Sequence, residues 1–394
     1  NDPRWDHQTE SRDWFYASLV AELSIDLARL RVAFDNVPNP YGDDAAWLTL
    51  GVFELSARRG LPGAVGELRR YLRLGRDVQQ AVDRLLPFVG HPEAAGLLED
   101  LLEVTGPDEL SRIIEWVGDF TIAPWPQWRR TSSEIDAAIE ATLAQRTALI
   151  SRPNTGAAQC SREERARKLL VQVGLDASPG TPASRLTELA EGRDEILLEI
   201  APSLLSDQSI KLSVGVAIRR SLWGLTSPRA LEWARSMASM TEEGGLAAIH
   251  LLANISVPED LPLLRELLSS AVAEGNDSIH TQCSLVEGLG RLGDIASIAQ
   301  IEALFDATVY SYLRGRCARA LSAISDDFMA RRATECLYDC ESGTRLIAVN
   351  SLTMKTMAIR QRLARMVDDP TEEDNCRQAA RIKSSELFPV TIED

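Results

Sequence analysis

Gln282-Cys283-Ser284-Leu285-Val286-Glu287-Gly288-Leu289 runs into Gly290-Arg291-Leu292-Gly293-Asp294 and then into Ile298, Ile301, Leu304 and Phe305. Next comes Leu313-Arg314-Gly315-Arg316-Cys317-Ala318-Arg319-Ala320-Leu321, followed by Ser325-Asp326-Asp327 and then Ala330, Ala333, Cys336 and Leu337. Both have the same form: an apolar face at three-and-four spacing, a short polar turn, and a second apolar face. That is a helical hairpin written twice. Neither copy shows the two-residue alternation of a half-buried strand, so the expectation is an all-α chain.

Working outward, the same hairpin recurs. Leu252, Leu289, Leu321 and Leu352 recur at spacings of 31 to 37 residues. Far upstream, Val82 and Leu86 precede the turn Val89-Gly90-His91-Pro92-Glu93-Ala94, after which come Ala95, Leu98, Leu101 and Leu102. Counted from Leu86, these positions repeat the offsets counted from Leu289, which places one register in two segments two hundred residues apart. Asp44 to Leu72 reads as another hairpin, turning at Arg59-Gly60-Leu61-Pro62-Gly63. Two helices are expected between Ser11 and Phe34, broken near Ser24-Ile25-Asp26 with Asp26 as a cap. Val37-Pro38-Asn39-Pro40-Tyr41-Gly42 is a breaker.

Between the regular parts, Asp108 to Phe120 reads as a short helix ending in Pro124-Trp125-Pro126-Gln127-Trp128. Thr131-Ser132-Ser133-Glu134 has the spacing of a capping box for a helix to Ile150, and Ser161-Arg162-Glu163-Glu164 caps a further one. Ser151 to Gln159 and Asp176 to Pro182 are loops rich in Pro, Gly, Ser and Ala. Helices are expected again over 193–206, 208–224 and 227–240, the last opened by Ser227-Pro228. Asp368-Asp369-Pro370 and Thr371-Glu372-Glu373-Asp374 break and recap the final helix, and Phe388 to Asp394 is a tail. Three segments follow: N-terminal helical repeats over 1–130, a divergent segment or hinge over 131–192, and C-terminal repeats over 193–394.

Leu313-Arg314-x-x-Cys317-Ala318-x-x-Leu321 and Thr344-Arg345-x-x-Ala348-Val349-x-x-Leu352 resemble the first-helix pattern of HEAT-like, armadillo-type repeats. His91-Pro92-Glu93-Ala94 resembles that family's turn. The resemblance covers about 44–104 and 241–367, and implies a right-handed superhelical solenoid of antiparallel helix pairs. Stacked hairpins bury a continuous core that no single hairpin could hide. The Trp-x-x-Leu-Gly…Tyr…Pro pattern of tetratricopeptide repeats is missing. HEAT-like proteins work as scaffolds, adaptors and transport receptors, more rarely as DNA glycosylases for alkylated bases or as bilin-attachment lyases, so the resemblance fixes a fold without choosing among functions.

Composition narrows the choice. The 394 residues carry a formal charge of −16, with 45% hydrophobic and 25% charged residues, as in an ordinary folded protein. A surface so acidic repels nucleic acid and anionic lipid unless its cations cluster. Those cations are nearly all arginine, since the lysines are Lys168, Lys211, Lys355 and Lys383. No basic start or apolar run opens the chain, so no secretory signal is expected. The longest uncharged apolar run, Gly244 to Pro258, contains Asn254 and Ser256 and is shorter than the ~20 residues that span a bilayer. Six cysteines without a CxxC pair point to a reduced, cytoplasmic protein.

Site candidates are few. Arg331, Arg332, Arg360, Arg362 and Arg365 fall on the second helices of the last two hairpins. Second helices usually line the concave face of such solenoids, so these arginines form either a basic stripe for an anionic partner or a solvated face. Trp125 and Trp128, with Arg129 and Arg130, form either an aromatic binding lip or a tightly packed loop. His280, Cys283, Cys317, Cys336 and Cys340 could be gathered for zinc, but Cys317 and Cys336 occupy core offsets and read as small hydrophobes. His7, His91 and His250 have no motif partners. Gly288-x-Gly290-x-x-Gly293 spells the dinucleotide fingerprint but ends a helix rather than following a strand. Acidic pairs such as Asp43-Asp44, Glu242-Glu243 and Asp368-Asp369 sit at helix starts or breaks, where they favour the helix dipole. No cofactor or metal is expected. The leading expectation is a non-enzymatic scaffold that binds a protein partner on a concave face. The alternative is nucleic-acid work of the glycosylase kind through the C-terminal arginines.

Overall fold

The computed structural model describes residues 12–35, 44–75, 77–150, 197–205, 212–238 and 243–389. Among these residues every regular element is a helix. The first nine are α1 (Arg12–Glu22), α2 (Leu27–Asp35), α3 (Asp44–Arg58), α4 (Ala64–Arg73), α5 (Val78–Leu85), α6 (Leu97–Val104), α7 (Pro107–Trp116), α8 (Trp125–Thr131) and α9 (Ser133–Ile150). Then come α10 (Leu197–Leu205), α11 (Leu212–Trp223), α12 (Pro228–Met237), α13 (Glu243–Ile255), α14 (Leu261–Glu274), α15 (Ile279–Arg291) and α16 (Ile298–Ala307). The last five are α17 (Ser311–Ile324), α18 (Asp326–Cys336), α19 (Ser342–Ser351), α20 (Met357–Asp368) and α21 (Asp374–Leu387). The breaker at Val37–Gly42, the loops Ser151 to Gln159 and Asp176 to Pro182, and the cap at Ser161 lie outside the described residues.

The chain divides into two compact units, one drawn from Asn1–Pro153 together with Glu335–Asp394, the other from Asn154–Thr334. In the first, Leu68, Leu72, Val82, Leu85, Leu101, Ile114, Ile135 and Ile139 form a fully buried core. The register here is shifted by one residue from the sequence expectation. Leu85 is wholly buried whereas Leu86 is only partly so, because Leu86 opens a 3₁₀ turn over Leu86–Phe88. Counted from Leu85, the buried Ala94, Leu97 and Leu101 fall at the offsets of Ile298, Ile301 and Phe305 counted from Leu289. The α9 cap shifts in the same way. Thr131 is still helical, and its hydroxyl donates back to the carbonyls of Gln127 and Trp128, both at 3.2 Å. Ser132 is the cap, its Oγ accepting from Ile135 N–H at 3.2 Å and donating to Glu134 at 2.9 Å.

Turn chemistry joins one hairpin to the next. Glu93, from the His-Pro-Glu-Ala turn, accepts from the backbone N–H groups of Gly63 and Gly66 at 3.0 and 2.9 Å, at the start of α4. A carboxylate there satisfies donors that a helix start cannot pair internally and meets the positive end of its dipole. The same unit brings the two ends of its sequence together. Arg59 forks onto the Asp369 carboxylate at 2.8 and 3.2 Å across 310 residues. Arg345 lies 3.7 Å from the Trp14 ring centroid. Its guanidinium also donates to Glu372 and to the carbonyls of Asp339 and Cys340 at 2.7–2.8 Å.

In the second unit α13, α15 and α17 pack in sequence order, and each second helix (α12, α14, α16) packs on the first helix of the following hairpin. Close approach needs small residues. A Cβ on Gly288 would lie 2.7 Å from the Ala253 carbonyl oxygen, and one on Gly290 would lie 2.7 Å from Ala320 Cβ. The first two glycines of the nucleotide fingerprint are thus the flat sides of α15, pressed on α13 and α17, and the third, Gly293, takes φ +72° in the turn that follows. Arginines on second helices reach the turn aspartates of the next hairpin: Arg235 to Asp260 at 2.6 and 3.1 Å, Arg265 to Asp294 at 2.8 Å. Burial raises the Asp260 pKa, but the Arg235 hydrogen bonds and the Val257 N–H outweigh it and hold the carboxyl low. At Asp294 the Arg265 hydrogen bonds lead, against burial, with the same outcome.

Candidate functional site

The first helices of the second unit carry more than packing residues. Their outward turns enclose a groove of about 1000 Å³. Helix α11 contributes Arg219 and Trp223, α13 contributes His250 and Asn254, α15 contributes His280, Cys283, Ser284, Glu287 and Arg291, and α17 with its entry contributes Tyr310, Tyr312, Arg316 and Arg319. Apolar surface dominates, and the polar atoms are set at intervals, as in ligand sites generally.

Rings run along it. Trp223, 40% exposed, meets His250 edge-on at 5.6 Å. His280 meets Tyr310 at 5.8 Å and 90°, and Tyr310 stacks on Tyr312 at 5.8 Å. His250 lies in the middle of α13, His280 in the first turn of α15 and Tyr310 at the entry to α17, so successive hairpins each supply a ring, from different turns of their helices.

The arginines of the groove differ in what holds them. Arg291 donates to the carbonyls of Ala253 and Ser256 at 3.2 and 2.9 Å and to Ser256 Oγ at 2.7 Å, closing the end of α13. Arg316 pairs with Glu287. Arg319 is exposed, and no described residue bonds its guanidinium. The first helices hold Arg219, Arg220, Arg291, Arg314, Arg316 and Arg319 against Glu243 and Glu287, whereas α14 and α16 hold Glu266, Glu274, Glu302 and Asp306 against Arg265; the remaining second helix, α12, holds Arg229 and Arg235 against Glu232. The groove is a cationic strip on an acidic protein.

His250 Nδ1 lies 2.5 Å from Ser284 Oγ, a spacing that invites comparison with a nucleophile and its base. The chemistry does not follow. Burial, helped by the His280 and Arg219 charges, pushes the His250 pKa down to about 4, leaving a feeble base. No described carboxylate bonds the imidazole to orient it. Burial likewise pushes the Cys283 thiol up to about 12, so it stays protonated and unreactive at neutral pH. Among the described residues no three His, Cys, Asp or Glu side chains gather closely enough to hold a metal.

The tryptophans and arginines expected from sequence to bind a partner lie elsewhere. Trp125 and Trp128 are buried at 3% and 5% exposure, edge-on to one another at 5.2 Å beside Phe120, and both stand on the helix α8 where a loop was expected. Arg129 pairs with Asp136 and Glu140. Arg331 pairs with Glu302 at 2.6 Å and Arg332 with Asp306 at 2.7 Å. Arg360 lies over the Phe388 ring, and Arg365 reaches Glu22 at 3.1 Å. Arg362 is buried, donating to the Leu337 carbonyl at 2.8 and 3.1 Å beside Tyr338 and Trp14. Each has a partner within the chain, and Arg331 and Arg332 belong to a different compact unit from Arg360, Arg362 and Arg365. The groove residues share no motif spacing, since His250, His280 and Tyr310 occupy different turns of their helices, so sequence reasoning missed them as a set.

No family model, no curated protein and no solved structure matches the chain.

Proposed function

We propose that the chain is a non-enzymatic scaffold, a HEAT-like right-handed solenoid of helix pairs, that binds a segment of a protein partner. The observation that carries this reading is the groove on α11, α13, α15 and α17, where rings recur once per hairpin. A repeating row of side chains matches a ligand that is itself a chain, with several anchors along its length. Tryptophan, tyrosine and arginine are the residues that supply most of the energy at protein interfaces. The weak base at His250 and the protonated thiol at Cys283 favour binding over catalysis. Free thiols at the five described cysteines accord with the cytoplasm as its place of work.

Panning a random-peptide display library on the intact chain tests the proposal. Peptides should be enriched whose affinity falls about tenfold or more with Trp223→Ala, a loss of about 1.4 kcal/mol. Failure to enrich any peptide, or enrichment of peptides indifferent to Trp223→Ala and Arg319→Ala, contradicts it.

A further inference from the structure

We infer that the groove selects acidic segments, in which Asp or Glu side chains flank an aromatic or large apolar residue. The inference rests on the proposed binding role and names the chemistry of the occupant. Three observations combine. The groove's charged lining is four arginines against one carboxylate, Glu287, and that carboxylate is already neutralised by Arg316. Arg319 stands exposed at the lining with no described partner, so its guanidinium can meet a carboxylate in the two-pronged geometry that arginine favours. Between the cations the rings of Trp223, His280, Tyr310 and Tyr312 offer edges and faces for an apolar anchor. On a chain of net charge −16, a strip of this sign attracts what the rest of the surface repels.

Arginine interleaved with rings also suits single-stranded nucleic acid, where bases stack and phosphates follow a basic track. Such a track must continue beyond one groove. Here it stops, because outside the groove Arg235, Arg265, Arg331 and Arg332 are matched by Asp260, Asp294, Glu302 and Asp306. A few carboxylates on a short segment fit the confined charge, whereas a long polyanion would run onto the acidic α14 and α16.

The peptides selected by panning the intact chain carry the answer in their composition. Enriched sequences should hold two or more Asp or Glu beside Phe, Tyr, Trp or Leu. A fluorescein-labelled example should bind at least tenfold more weakly to Arg319→Glu, with the thermal midpoint of that variant unchanged. Replacing its acidic residues by Lys should restore binding to Arg319→Glu. Enrichment of neutral or basic peptides that still require Trp223 overturns the acidic selectivity while leaving the scaffold reading intact. Tighter binding of a labelled twelve-residue oligothymidylate than of any selected peptide overturns it in favour of nucleic acid. If no groove-dependent peptide emerges, the scaffold reading and the acidic selectivity fall together.

Discussion

The two compact units treat arginine in opposite ways. In the first, Arg345 is 2% exposed, held between Trp14, Glu372 and two backbone carbonyls, and Arg362 is buried beside it. In the second, Arg219, Arg316 and Arg319 edge a solvent-filled groove, and one of them has no described partner. Burial with every donor satisfied makes a cation part of the fold. Exposure beside rings makes it available to something outside. The same residue type is a fastener at Arg345 and, in the proposed reading, a contact at Arg319.

The largest expected effect lies at the buried pair. Arg345→Ala leaves Glu372 charged and enclosed, and should cost about 3–5 kcal/mol in urea unfolding. A double variant, Arg345→Met with Glu372→Leu, should recover most of that loss, since it removes both charges at similar volume. Equal losses in the single and double variants would show that the guanidinium is not acting as a fastener.

Second in size is a pH effect from the groove. The His250 pKa is depressed by burial from 6.5 to about 4. The unfolded chain therefore takes up a proton that the folded chain refuses. Stability contributed by neutral His250 is complete above pH 6.5, declines as pH falls, and levels off below about 4. The loss is on the order of 3 kcal/mol over that window. His250→Gln should remove this part of the pH dependence, seen as a difference between the two unfolding curves from pH 7 to 4. The aspartates of the inter-hairpin pairs lie on the other side of the window. Asp260 and Asp294 have folded pKa values below 3.8, so their contribution is present above that value and fades only in stronger acid.

Gly290→Val should follow, at about 1–3 kcal/mol, because a branched side chain is driven into Ala320 where even a Cβ would lie 2.7 Å away. Least affected is Arg319→Ala. With no described partner to lose, it should change stability by less than about 0.5 kcal/mol. The contrast between Arg345 and Arg319 under identical denaturation sharpens the comparison of the two units.

How much of this was legible follows from the range of each interaction. Hairpins are local, so periodicity located them, and Asp26 and Ser227 were found as caps because a cap acts within three residues. Leu85 and Leu86 are adjacent and alike, and a 3₁₀ turn moves the core face by one residue without altering composition, so the anchor slipped. Thr131 and Ser132 slipped for the same reason. The arginine stripe read from sequence could not tell a paired guanidinium from an unpaired one, because that depends on the carboxylate that faces it. Glu302 stands 29 residues from Arg331, and Glu22 stands 343 from Arg365. The groove draws on four helices, and its rings fall at different turns of them, so no spacing along the chain announces it.

Hydrogen exchange of the intact chain, alone and saturated with a panned peptide, tests the central claim directly, namely that the first helices of the second unit form the binding face. Protection is expected over 212–223, 243–255, 279–291 and 311–324, with 261–274 and 298–307 unchanged. Protection confined to those second helices, or to the first unit, would contradict it.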